Sequence, residues 1–201
     1  MTSLQRAGLY TSAFVLGFAL MGFEMLGSRY LNPYFGSGIN TWAALISTVL
    51  GALMIGYFFG GELVDRRPDS RVSGVVTLVA AIFLALLPPL SDDIILSMIA
   101  VFGDGPSGAI ASTIALFLVP LALVGSFSPF AVRLLLTRTD QAGRVAGWVY
   151  GISTIGNIVG TLVTTFVLIP SLGTRNITYV FAAVVGLVGF FLLAIRTMAR
   201  P

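Results

Sequence analysis

The stretch FEMLGSRYLNPYFGSGINTW, residues 23–42, decides how this chain is read. It closes an apolar run too uniform for a soluble helix. It then places Glu24, Arg29, Tyr30, Pro33, Tyr34 and the pair Gly36 and Gly38 where a chain leaving a membrane must turn back. An ionised carboxylate inside such a span costs roughly 3 kcal/mol or more unless it is paired or hydrated, which makes Glu24 a candidate functional residue.

Composition sets the class. Of 201 residues, 57% are hydrophobic and 9% are charged, and the mean hydropathy is +0.99. Soluble domains are usually about 25% charged, so the polar surface needed to coat a water-soluble globule is missing. The apolar runs are long and do not alternate, which predicts helical spans rather than a barrel. All eleven basic residues are arginine, and the chain has no lysine, histidine or cysteine. Disulfides, thiolate chemistry, a Ser-His-Asp triad and the usual metal ligands are excluded with them. No nucleotide-binding glycine loop is present. Neither a cofactor nor a metal is expected. The net charge of +3 and pI near 9.7 reflect arginines in the loops facing the cytoplasm, and no nucleic-acid partner is implied.

Six spans are predicted, at about 8–28, 41–61, 72–90, 107–135, 143–169 and 176–195, in one all-α transmembrane domain covering 1–201. The N-terminal run lacks a small-residue cleavage site and reads as a retained first span. A polar turn is expected at 29–40, and Pro88-Pro89 are expected to end the third span. Residues 91–106 contain an apolar piece too short to cross a core about 30 Å thick, which predicts a short interfacial helix between spans three and four. Pro120 and Pro129 are expected to kink the fourth span. With six spans, Arg6, Arg66, Arg67, Arg71, Arg133, Arg138, Arg144, Arg196 and Arg200 share one side, leaving Arg29 and Arg175 on the other. Both termini are then expected to be cytoplasmic.

Glu24 needs a partner. Arg29, five residues on, fits helical pairing poorly, and Arg133 near the end of the fourth span is the alternative. Such a carboxylate serves as half of a buried ion pair, as a cation or proton site, or as a solvated group at the helix end. Tyr30, Tyr34 and Trp42 offer aromatic faces that attract ammonium groups, and equally suit an interfacial aromatic belt. Gly56/Gly60, Gly147/Gly151 and Gly156/Gly160 are small-residue pairs four apart, suited to close helix packing within the bundle or to a dimer surface. A weak echo links Glu24, Arg29 and Trp42 to Pro129, Arg133 and Trp148, as an inverted three-plus-three repeat would.

Gly61-Glu62-Leu63-Val64-Asp65-Arg66-Arg67, between spans two and three, resembles the loop signature of major facilitator transporters. That resemblance implies a conformational latch at Asp65, Arg66 and Arg67, and a bundle like half of such a transporter. More broadly, Glu24-x4-Arg29-x3-Pro33-Tyr34-Phe35-Gly36, Trp42 and Gly56-Tyr57-x2-Gly60-Gly61-x3-Asp65-Arg66 in the first half resemble the transmembrane domain of bacterial fused spermidine synthase-like proteins. So do Pro129-x3-Arg133, Gly143-x3-Gly147-x2-Tyr150, Ser153-Thr154-x-Gly156-x3-Gly160-Thr161 and Leu168-Ile169-Pro170-x2-Gly173-Thr174-Arg175 in the second. In that family a cytosolic aminopropyltransferase-like domain follows. This sequence ends at Pro201, just after the sixth span, so that domain's catalytic residues have no counterpart and no enzymatic activity is expected. The resemblance implies a multi-pass protein of the bacterial inner membrane, transporter-like, with a polyamine or other organic cation met by Glu24, Arg29, Tyr30, Tyr34, Trp42 and Arg133. The alternative it implies is a non-catalytic anchor docking a separately encoded transferase. A homodimer is the other partner expected, beside the lipid bilayer.

Overall fold

The computed structural model describes residues 2–195. The chain is all-helical there, with six helices long and apolar enough to cross a membrane: α1 (Ser3–Phe35), α2 (Ile39–Arg66), α3 (Ser70–Phe102), α4 (Pro106–Leu135), α5 (Thr139–Ser171) and α6 (Thr174–Ile195). In hydrocarbon each backbone N–H and C=O must be met within its own segment, and long helices do this. Arg196 and Arg200 lie outside the described residues.

Two boundaries differ from the sequence reading. The expected turn at 29–40 shrinks to the residues around Gly36, because α1 runs through Pro33 to Phe35. The expected interfacial helix at 91–106 does not exist as a separate element. α3 passes straight through Pro88 and Pro89 and continues to Phe102, with Ser91 and Ile95 fully buried. Each proline removes one ladder bond, but the packed turns on either side hold the helix together. Both helices stop at a glycine instead. Gly36 (φ 69°) donates its N–H to the Asn32 carbonyl at 3.0 Å, and Gly103 (φ 82°) donates to Ile99 at 2.8 Å. Side chains rarely adopt those angles, so glycine terminates where proline does not.

The prolines of α4 and α5 act differently. A π-helical turn spans Ile114–Leu118, two residues before Pro120, and another spans Thr164–Leu168, two residues before Pro170. A proline cannot donate to the carbonyl four residues back, which here lies at the middle of each π turn. The preceding turn widens to accommodate it. α4 also breaks at Ser126, three residues before Pro129.

The dominant pairings are α1 with α5, α2 with α4, and α3 with α6. Exchanging the first three helices with the last three, in order, maps this set onto itself. The lesser pairings α1–α6 and α3–α4 also exchange with one another. Glycines set the close approaches. A Cβ on Gly156 or Gly160 of α5 would collide with the carbonyls of Phe14 and Phe18 on α1, and one on Gly56 or Gly60 of α2 with those of Ala122 and Ser126 on α4. No atom of another element lies near Gly147 or Gly151. α1 is the central helix, with 61% of its most apolar window buried against 17% for α5, whose outer face is open. The start of α1 and the end of α6 are tied together at one end of the bundle, where Gln5 Nε2 donates to the Ile195 carbonyl at 3.0 Å.

Candidate functional site

Helix phase places Glu24. Gly17, seven residues earlier, meets Ser153 and Asn157 of α5, and Gly27, three residues later, meets Leu45 of α2. Residues seven apart share a face, so Glu24 lies on the strip of α1 that runs between α5 and α2. It is 7% exposed. Among the described residues it forms no ion pair and no hydrogen bond.

Two cavities lie along the same strip, one to either side of Glu24, which itself lines neither. Leu20, one turn below Glu24, lines a small one of about 30 Å³ with Tyr57 of α2, Ser128 of α4, and Ser153 and Asn157 of α5. That volume holds about one water molecule. Asn157 Oδ1 is buried there without a hydrogen-bond partner among the described residues. Ser28, one turn above Glu24, lines a larger cavity of about 350 Å³ with Arg29, Asn32, Trp42 and Thr165. A carboxylate is thus held between a wider polar mouth and a narrow polar pocket deeper in the bundle.

The other residues singled out from the sequence separate. Arg29 and Trp42 face the larger cavity together, Arg29 exposed and Trp42 half-buried. Tyr30 turns to the opposite side of α1, where its hydroxyl meets Thr178 Oγ1 of α6 at 2.9 Å. Tyr34 lies beside Asp92, which itself pairs with Arg175 at 2.6 Å. Arg133 sits at the far end of α4, its Nε 4.0 Å from Asp65. Glu24 is eighteen positions up α1 from Arg6, or about 27 Å at helical rise, so Arg133 at the arginine-rich end does not reach it.

The loop motif also divides. Asp65 reaches across to Arg133 on α4, while Arg66 pairs with Glu62 on its own helix at 2.6 Å. Both pairs are solvent-exposed and contribute little stability. Arg67, exposed at the end of α2, has no carboxylate partner among the described residues.

With known proteins the chain shares no detected relationship: no family model, curated protein or solved structure matches it. The site therefore rests on its geometry. Tyr57 and Ser153 entered the sequence reading only as parts of motifs, not as site residues, and Asn157 escaped it. Asn157 carried a signal, as the one amide in the apolar run 149–169.

Proposed function

We propose that this chain is a transporter-like integral membrane protein that recognises an organic cation, a polyamine in the first instance, through Glu24. The observation that carries the reading is a buried carboxylate without a cationic partner among the described residues, set between two polar cavities. A charge so placed is costly unless a cation or proton meets it. Arg29 and Trp42 stand at the mouth of the larger cavity and would act on the ligand before Glu24 does.

Two further features favour transport. The exchangeable helix pairing is what an inverted three-plus-three repeat produces, and transporter sites form at such repeat interfaces. The open face of α5 leaves room for a second copy to complete a pathway, as in a bundle resembling half of a major facilitator protein. The amine class comes from the resemblance to fused spermidine synthase-like membrane domains. Among the described residues, seven arginines lie at the end shared by Gln5 and Ile195 and two at the other, which favours cytoplasmic termini in a bacterial inner membrane.

The test is spermidine flux in proteoliposomes with wild type and Glu24→Gln. The substitution keeps the shape and removes the charge, and flux should fall at least tenfold, the loss of about 1.4 kcal/mol of recognition. Flux equal to wild type would remove Glu24 from the mechanism.

Arg67, exposed and without a carboxylate partner among the described residues, favours a second reading, a membrane anchor for a separate transferase. A soluble transferase that co-purifies in detergent, and is lost from Arg66→Gln/Arg67→Gln, would establish it.

A further inference from the structure

A cavity of about 540 Å³ opens at the arginine-rich end of the bundle, between the first turns of α1 and α5 and the end of α4. Arg6 and Arg144 line it from two helices, with Gln141 beside them and Trp148 on its wall. Both arginines are exposed, and neither pairs with a carboxylate among the described residues. The nearest acid in sequence, Asp140, is already held by Arg138 at 3.0 Å. Among the described residues no carboxylate lines the cavity, and its charged side chains are the two arginines. Its floor is apolar, formed by Leu135 and Ile152. Trp148 is 58% exposed, as indoles at a membrane–water interface are.

Two arginines and an amide lining one cavity with apolar side chains, beside an exposed indole, match a phosphodiester attached to hydrocarbon. Arginine forks pair with phosphate oxygens, and basic pockets between membrane helices take acidic headgroups. We propose that this cavity binds the phosphate headgroup of an anionic phospholipid, with Arg6 and Arg144 clamping the phosphate from α1 and α5. Because these two helices form one of the main pairings of the bundle, a bound headgroup would brace the seam that carries Glu24. The site stands on its own residues and does not depend on the transport reading.

The chain has two tryptophans, so in a Trp42→Phe background Trp148 alone reports from the cavity. The full chain in that background is reconstituted into vesicles containing brominated phosphatidylglycerol or brominated phosphatidylcholine, and quenching of Trp148 is measured against mole fraction. Phosphatidylglycerol should quench at roughly tenfold lower mole fraction, the combined pull of two arginines at an interface. Adding Arg6→Gln and Arg144→Gln should make the two curves coincide, and a preference that survives overturns the proposal. Arg66→Gln/Arg67→Gln, at the same end but outside the cavity, should keep the preference. Its loss there would mean a general surface charge and overturn the site. Should the double variant fail to fold, the Trp42→Phe protein decides by salt: a preference that persists at high ionic strength also overturns the clamp. If millimolar inorganic phosphate erases the preference, the ligand is a soluble phosphate and the lipid assignment is overturned.

Discussion

Tyr30 and Glu24 are six residues apart on one helix and face opposite ways, and the difference decides their roles. The Tyr30 hydroxyl and Thr178 Oγ1 are buried at 2.9 Å, and Thr178 also donates to the Thr174 carbonyl at 3.0 Å. Tyr30→Phe leaves Thr178 satisfied and should cost about 1 kcal/mol. Thr178→Val leaves the tyrosine hydroxyl buried with no partner and should cost more, up to about 3 kcal/mol. Thermal midpoints in detergent give the order, and a Tyr30→Phe midpoint lower than that of Thr178→Val would contradict it. Glu24 stood out in the sequence because a charge in a span is rare. Its surroundings were not legible there, since Asn157 and Ser153 reach its strip only through the pairing of α5 with α1. Arg133 illustrates the reverse case. Its type suited Glu24, but three crossings, an odd number, separate Glu24 from the end of the fourth span and put the two at opposite ends.

At the scale of helices, length and hydropathy were enough to place six spans, because among the described residues these are the segments long and apolar enough to bury their backbone in hydrocarbon. Proline was the misleading signal. It ends helices in water, but Pro33, Pro88 and Pro89 lie inside continuous helices here, and Pro120 widens a turn in mid-span; Pro170 alone sits where the sequence reading ended a span, one residue before α5 stops at Ser171. Of the three glycine pairs, two serve packing within the bundle and Gly147/Gly151 does not, a division that sequence spacing alone could not give. Gly160→Ala should therefore push α5 off the Phe18 carbonyl and cost about 1–3 kcal/mol, an overpacking penalty. Gly147→Ala should leave the thermal midpoint of the monomer unchanged. Equal loss in both variants would show that the outer face of α5 is packed after all.

For the whole molecule, orientation is open to direct measurement, since no native cysteine interferes. Gly105 and Gly143 have no neighbouring atoms around the position of an added side chain and sit at opposite ends of the bundle. With cytoplasmic termini, an impermeant maleimide should label Gly105→Cys on intact cells and Gly143→Cys only after permeabilisation. The opposite pattern would invert the topology and place the Arg6/Arg144 cavity outside.

The bond from Gln5 to Ile195 has a consequence for how the chain can be rewired. With the start of α1 and the end of α6 in contact, a few linking residues could join them, and the polypeptide could be reopened elsewhere. Cut at the α2–α3 connection beside Pro68, the permuted chain would still begin and end on its original side, and every helix would insert in its native sense. Cut at Ser37, the new ends would fall on the far side, and each would have to be carried across the bilayer.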